Sequence, residues 1–284
     1  MIPAAFDYLR ASSLTQAIDL LRSDPDGTKL LAGGHTLLPS LKLRLASPAL
    51  LIDIGGLAEL KGIEISETGI RIGALTTHAE LFASLPLNEQ LPLFRQAAGL
   101  IADPQVRNRG TIGGSLANAD PAADWPAVML ALQAEIEVAG TSGFRRIPAR
   151  DFFVDIFSTV LEADEILASI HIPRPRSGTR FVYRKIRHPA SGFAVVGIAV
   201  AMRLTQNLVT EATIGVTGAA NHAFAGEDAA DFLIGKALSQ ENIDQAARLL
   251  SEATACLSDR YASADYRANL IEVELKRALL GLSP

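Results

Sequence analysis

Short apolar runs alternate with helix-spaced apolar positions along the first third of the chain. Residues 29–32 and 50–54 are mostly apolar, and each run leads into two glycines, which predicts two buried strands. A capping box at Ser13 and Gln16 predicts a helix from residue 14 to about residue 22. Apolar positions 37, 38, 41 and 45 predict a second helix between the strands. This order of elements is typical of an α/β unit.

The mixed pattern continues over the next hundred residues. Residues 69–73 predict a third strand, and a capping-box pattern at Thr77 and Glu80 opens a helix through Phe82. Apolar positions 91, 94, 97, 98 and 101 predict a further helix. That helix leads towards a second glycine pair at residues 113 and 114.

The second half of the chain has a different pattern. A segment rich in proline, glycine and arginine at residues 173–178 indicates a domain boundary. Residues 179–187 alternate as a strand, and residues 193–204 and 208–216 predict a hairpin across residues 205–207. Two helices follow. One has an apolar face from Ile243 to Leu257, and the other runs from about residue 264 to residue 280 and stops at Gly281.

Composition excludes several classes of protein. The chain has 284 residues, 49% of them hydrophobic, and its formal net charge of −5 favours neither nucleic acid nor an anionic membrane as partner. No secretion signal is visible and no segment approaches about 18 uninterrupted apolar residues, so we expect a cytoplasmic protein. Cys256 is the single cysteine, which excludes an internal disulfide and an iron–sulfur cluster held by four thiolates of this chain. An electron carrier in this chain must therefore be organic.

The two glycine pairs are the main candidates for chemistry. Adjacent glycines let backbone amides approach a ligand closely and form a concave anion site. Each pair lies beside a hydroxyl residue, in AGGHT at residues 32–36 and in TIGGS at residues 111–115, so together they suit the two phosphates of a dinucleotide. The alternative is that both pairs are tight turns without a ligand. His35 likewise is either a contact to phosphate or ribose, or simply a polar turn residue.

Other familiar patterns are missing from the sequence. It has no G-x-G-x-x-G after a strand, no G-x-x-x-x-G-K-S/T, no H-E-x-x-H and no G-x-S-x-G. A Rossmann-type dinucleotide site and a P-loop are therefore disfavoured. The five histidines lack the spacing of metal ligands, so we expect no metal site in this chain.

Several motifs together carry a family resemblance. They occupy residues 32–39, 52–54, 102–115 and 120–124, with further similarity at 183–194 and 263–267. In these segments the chain resembles the FAD-binding medium subunit of molybdenum hydroxylases, and carbon monoxide dehydrogenase medium subunits are the most similar type. The resemblance implies an α+β fold. It implies a two-lobed FAD-binding domain of the vanillyl-alcohol oxidase type over residues 1–175, with lobes of about 1–56 and 57–175. A smaller C-terminal domain over residues 176–284 would have a three-stranded antiparallel sheet and helices.

The resemblance also implies a set of cofactor contacts. Both glycine motifs would wrap the FAD pyrophosphate, an aspartate would bind the ribityl or adenosine end, and a lysine and two apolar residues would lie near the flavin ring. No residue would link the flavin covalently. The implied contacts are Lys29, Ala32, Gly33, Gly34, His35, Thr36, Ile101, Thr111, Gly113, Gly114, Ser115, Asp124, Leu167 and Lys185.

Residue types alone leave alternatives for some of these contacts. Lys185 could be a solvated strand lysine, Ile101 and Leu167 could be ordinary core residues, and Asp124 could cap the helix that follows it. Phe193 departs from the family, whose most similar members have a tyrosine near the flavin at this position. Stacking on the ring would survive this change, but a phenolic hydrogen bond would be lost.

The resemblance implies a function shared among subunits. The chain would be an oxidoreductase subunit whose FAD passes electrons from [2Fe–2S] clusters of a small partner subunit to an external acceptor. A large partner subunit would hold the molybdenum cofactor, and the complex would be a dimer of heterotrimers. No catalytic residue is assigned in this chain. The alternatives are a stand-alone flavin reductase or oxidase of the same fold, and a nucleotide-binding protein without catalysis.

Overall fold

A small parallel sheet forms the first of three structural units. The computed structural model describes residues 2–283. Strands β1 (Asp7–Arg10), β2 (Thr28–Leu31) and β3 (Leu50–Asp53) pair in parallel in the order β1-β3-β2, with helices α1 (Leu14–Ser23) and α2 (Leu37–Lys42) in the connections. Strand β2 ends directly before the first glycine pair, as the apolar run predicted. Strand β1 was not predicted, because its four residues are largely exposed and show no apolar run.

The second unit is a five-stranded antiparallel sheet covered by short helices. Its strands are β4 (Ile63–Ile65), β5 (Gly69–Gly73), β6 (Glu135–Gly140), β7 (Gly143–Pro148) and β10 (Ile166–Pro173), in the order β4-β5-β10-β6-β7. A separate hairpin joins β8 (Phe153–Asp155) to β9 (Ser158–Thr159). The helices are α3 (His78–Ala83), α4 (Leu85–Gln90), α5 (Leu93–Leu100), α6 (Pro104–Arg107), α7 (Ile112–Asn118) and α8 (Asp124–Ala131), with 3₁₀ turns at Ala58–Leu60 and Ala149–Asp151.

The third unit is an antiparallel sheet with helices. Strands β11 (Thr179–Arg187), β12 (Ala194–Thr205) and β13 (Leu208–Thr217) form a meander, and the two-residue strand β14 (Phe224–Ala225) extends it. Gln206 and Asn207 have φ angles of 51° and 63°, which identifies the tight turn of the predicted hairpin. Helices α9 (Glu227–Leu233), α10 (Gln240–Ala253) and α11 (Ala264–Leu282) follow. The expected three strands are present, and β14 is the addition.

Residues at the helix ends explain why some helices begin or end at other positions than predicted. The helix predicted over residues 91–101 begins only at Leu93, because Pro92 has no amide hydrogen to continue the preceding helix. Helix α10 ends at Ala253, so Leu257 lies outside it and donates its amide to Ala219 instead. Gly281 does not stop α11 but lies within it. The capping box at Thr77 and Glu80 is confirmed by both of its hydrogen bonds.

Helix α8 joins the second and third units. All eight of its residues are buried, and it contacts β12 and β13 on one side and α5 on another. Three alternate residues of β13 face it. Thr217 Oγ1 donates to the Ala123 carbonyl and Thr213 Oγ1 donates to the Ala131 carbonyl, at 2.7 and 2.6 Å. Gly215 lies between them, and a Cβ there would overlap the carbonyl oxygen of Ala127.

Within residues 2–283, no helix has both the length and the apolar character needed to cross a membrane.

The contact between β13 and α8 predicts a strong effect of one methyl group. Gly215→Ala would place Cβ against the Ala127 carbonyl and within 3.0 Å of Leu130 Cβ, and we expect a loss of about 1–3 kcal/mol in the free energy of unfolding. Gly281→Ala is the matched control, because that helical site is open. It should be neutral or stabilising by up to about 1 kcal/mol. Urea unfolding measures both, and equal midpoints would contradict the prediction.

Candidate cofactor site

The two glycine motifs lie against each other. A Cβ on Gly33 would overlap the carbonyl oxygen of Arg109 and lie 2.9 Å from Gly110 Cα. The loop after β2 therefore packs directly on the backbone that leads into the second motif, although 80 or so positions separate them in the chain. Only a residue without a side chain permits this approach. The structure thus brings the two motifs together, as a single ligand site requires.

The first motif has free backbone amides. Within residues 2–283, none of the five successive N–H groups from Ala32 to Thr36 donates a hydrogen bond to the chain. Gly34 has a φ of +78°, which turns this backbone in a way that favours glycine. His35 and Thr36 are exposed. Unpartnered amides grouped in this way form a site for an anion such as a phosphate.

The second motif is different, because the chain itself accepts its hydrogen bonds. The amides of Ile112 and Gly113 donate to Thr76 and Ala74, at 3.0 and 2.8 Å, and Thr111 caps α7 by accepting from Gly114 at 3.1 Å. Ser115 N donates to the Thr111 carbonyl. The expectation of free amides is therefore wrong for this turn. A Cβ on Gly113 would lie 2.5 Å from Ala74 Cβ, so this glycine is required by packing.

A buried ion pair lies at the start of α8. Lys185 Nζ lies 2.8 Å from Asp124 Oδ2 and also donates to the Leu100 carbonyl at 3.2 Å. The Tyr183 hydroxyl donates to the other carboxylate oxygen at 2.5 Å. The Lys185 side chain is 0% exposed, so the alternative of a solvated lysine is wrong. Within the described chain two of the three ammonium hydrogens have acceptors, which leaves one donor for a ligand.

Burial and charge act in opposite directions on this cluster. Burial raises the pKa of Asp124, while the Lys185 ammonium and the Tyr183 hydroxyl lower it. Burial lowers the pKa of Lys185, and Asp124 opposes that shift. Burial and the neighbouring carboxylate raise the pKa of Tyr183 well above its ordinary value, so the hydroxyl remains a donor. Burial is the largest influence on both groups, so the pKa of Asp124 is raised overall and that of Lys185 is lowered overall, while the hydrogen bonds within the cluster oppose these shifts.

Strand geometry explains how this cluster forms. Tyr183 and Lys185 are two residues apart on β11 and so project from the same face. Gly197 on the neighbouring strand makes room, because a Cβ there would lie 2.6 Å from the Tyr183 hydroxyl. Asp124 is the first residue of α8, whose cap position is Ala123. The alternative of Asp124 as the helix cap is therefore wrong.

The remaining predicted residues occupy different positions. Ile101 is half-buried beside Leu100, and Arg107 Nη1 donates to its carbonyl at 2.7 Å. Leu167 is buried in the core of the five-stranded sheet at 5% exposure. Lys29 is exposed on β2, and Phe193 is 43% exposed directly before β12.

A buried His78–Trp125 pair was missed by sequence reasoning. Trp125 Nε1 donates to His78 Nδ1 at 3.0 Å, across 47 positions of sequence. Burial, followed by the nearby charges of His35 and Arg107, lowers the pKa of His78 to about 4. The sequence showed His78 only as the first residue of a capped helix. No local signal could connect it with Trp125.

Comparison with known proteins agrees with this mixed α/β fold and glycine-loop site. The family model described as FAD binding domain in molybdopterin dehydrogenase matches residues 4–175. The model described as CO dehydrogenase flavoprotein C-terminal domain matches residues 181–282. The chain belongs to this family of FAD-binding molybdopterin dehydrogenase subunits.

Individual relatives cover almost the whole chain. The carbon monoxide dehydrogenase medium chain of Afipia carboxidovorans is 39% identical over 98% of this chain and 97% of its own. The nicotine 6-hydroxylase medium subunit of Paenarthrobacter nicotinovorans is 36% identical over 97% and 96%. Among solved structures, a Cu,Mo-CO dehydrogenase chain superposes with a TM-score of 0.96 at 39% identity, covering 99% of this chain and 98% of that chain. Quinoline 2-oxidoreductase from Pseudomonas putida 86 gives 0.93 at 32% identity, with coverage of 99% and 98%.

Because the two glycine motifs have different roles, valine substitutions in them should have different effects. Gly34→Val should abolish FAD binding, because its side chain opposes positive φ and blocks the free amides, at a folding cost of roughly 1–2 kcal/mol. Gly178→Val is the matched control, with φ of +81° in open space, and it should lose similar stability while retaining FAD. Gly113→Val should mainly destabilise the fold through Ala74. Flavin absorbance and urea unfolding separate these outcomes, and stoichiometric FAD in Gly34→Val would contradict them.

The low pKa of His78 predicts a loss of stability in acid. Between pH 6.5 and about 4 the unfolded chain binds a proton at His78 that the folded chain excludes. The free energy of unfolding should therefore fall as pH falls through this window, by roughly 3 kcal/mol from this residue. Denaturant titrations at a series of pH values measure the slope, which should be shallower in His78→Gln. An unchanged slope in the variant would contradict the prediction.

Proposed function

We propose that this chain is the FAD-containing electron-transfer subunit of a multi-subunit molybdenum hydroxylase. The observation that carries the proposal is the run of five unpartnered amides at residues 32–36, packed against the second glycine motif in a chain of this family. Bound FAD supplies the capacity to accept and release electrons. The unit that binds it is proposed to span residues 1–175, with lobes of about 1–56 and 57–175, and residues 176–284 form the C-terminal domain.

Each proposed contact has a physical task. The amides of Ala32 to Thr36 hold the diphosphate, with Lys29 nearby and the Ser115 hydroxyl contributing from the second motif. Ile101 and Leu167 supply apolar contacts beside the ring. Gly33 and the second-motif residues Thr111, Gly113 and Gly114 fix the relative position of the two loops, as their close packing and helix cap support.

Lys185 and Asp124 provide the electrostatics of the proposed ring site. Because the ammonium is buried and retains one free donor, it can stabilise negative charge that develops on a neighbouring group. Asp124 holds the ammonium in place and limits the desolvation penalty. Neither residue forms or breaks a covalent bond, and we assign no catalytic residue to this chain.

The proposed complex contains two kinds of partner subunit. With Cys256 as its single cysteine, this chain does not supply four thiolates for a cluster, so [2Fe–2S] clusters on a small subunit would supply the electrons. The molybdenum cofactor belongs to a large subunit, and the three chains assemble as a dimer of heterotrimers in the cytoplasm. FAD bound in this chain would supply the transfer of electrons to an external acceptor.

Affinity purification of the tagged full chain from its native host tests this proposal. We expect two further subunits, molybdenum and iron, and FAD that acid or heat releases intact. Gly34→Val serves as the control and should copurify without flavin. A colourless wild-type chain that does not bind FAD would support a nucleotide-binding protein without catalysis. A monomer that turns over an organic substrate at about 1 per second or faster would instead support a stand-alone flavoenzyme.

A further inference from the structure

We propose that His78 is an additional ligand of the cofactor, with its Nε2–H donating to a diphosphate oxygen. This inference rests on the proposed FAD site and extends it by one buried residue. His78 is 6% exposed, and it has a ring nitrogen for which the described chain supplies no partner. The ring is largely buried, but its Nε2 is open enough for a ligand or water to reach it and accept its hydrogen bond.

The Trp125 contact fixes which hydrogen His78 carries. An indole N–H can only donate, so His78 Nδ1 must be the acceptor in the 3.0 Å bond. The neutral ring then carries its hydrogen on Nε2. Protonation would place a second N–H at Nδ1, facing the indole N–H, so the same contact opposes the imidazolium form. Trp125 is fully buried, and therefore it cannot turn away from the ring without disturbing the core.

Backbone contacts place this donor at the glycine motifs. His78 N donates to the Gly110 carbonyl at 3.0 Å, and Thr77 bridges to Thr111. A Cβ on Gly110 would lie 2.8 Å from His78 Nε2, so the glycine lets this backbone pack closely against that nitrogen. Gly33 packs on the same Gly110 backbone. The unpartnered Nε2 and the loop with free amides thus adjoin one short segment of chain.

The fixed tautomer of His78 determines which kind of ligand atom can bind to its Nε2. Nε2–H can donate but cannot accept, and diphosphate oxygens accept but do not donate at neutral pH. A neutral donor also remains effective beside the Arg107 guanidinium, where a further cation would be repelled. The diphosphate is therefore the part of a dinucleotide that fits His78 best.

The test compares His78→Leu, which removes the donor, with His78→Gln, which retains a donor at nearly the same reach. FAD binding to the apo full-length chain is measured by quenching of flavin fluorescence, with ADP as a competing probe that carries the diphosphate alone. We expect His78→Leu to weaken both FAD and ADP by about 10-fold or more, and His78→Gln to remain within about 3-fold of wild type. Far-UV circular dichroism confirms that each variant is folded.

Histidine-selective ¹⁵N NMR of the wild-type chain supplies a readout that does not depend on any variant folding. The His78 spectrum should show the Nε2–H tautomer, and ADP should shift its Nε2 resonance. Unchanged FAD affinity in His78→Leu, or an unmoved Nε2 resonance at saturating ADP, would overturn the inference while the FAD site itself stands. A wild-type chain that binds neither FAD nor ADP would overturn the proposed function and this inference with it.

Discussion

The packing of β13 on α8 is the constraint on which the rest of the structure depends. A helix whose residues are all buried has little water for the last carbonyl groups at its C-terminal end, so other parts of the chain must donate to them in place of water. Thr213 donates to the Ala131 carbonyl at that end, Thr217 attaches the strand to the Ala123 carbonyl at the other end, and Gly215 lets the strand lie directly on the middle of the helix. Because residues i, i+2 and i+4 of a strand share one face, this alignment also fixes the register of the meander. The second and third units are thereby held in one arrangement.

The position of α8 in turn determines both parts of the candidate site. Its first two residues have different partners. Asp124 accepts hydrogen bonds from Tyr183 and Lys185 of the third unit. Trp125 donates to His78 of the second unit. A shift of the helix would move the buried ammonium and the imidazole donor together. The glycine motif at residues 111–115 lies in the segment that leads to α8. The relative position of the groups proposed for the phosphate side and the ring side is therefore set by helix packing as well as by the loops.

Local signals in the sequence predicted much of the fold but only part of the site. Strand β2 before its glycines, strand β11 and the hairpin at Gln206 each have a signature within a few residues, and all three are present. Most of the five-stranded sheet was not predicted, because its strands pair across long separations and their edges are polar. The His78–Trp125 pair was not predicted for the same reason, since a contact across 47 positions leaves no periodic pattern in the sequence. The resemblance to a family proposes what periodicity could not, namely which scattered residues form one site.

The two glycine pairs show why a sequence motif alone does not define a ligand site. Each motif has two adjacent glycines near a hydroxyl residue. Yet Gly34 has a positive φ in a loop with free amides, whereas Gly113 allows α7 to approach Ala74. The physical difference is whether the chain already accepts the hydrogen bonds of the turn. Where it does, as at residues 112–115, the glycine serves packing and the site must find its donors elsewhere. His78 lies beside this second motif with such a donor, and we assign to it the role that the backbone amides have in our proposal for the first loop.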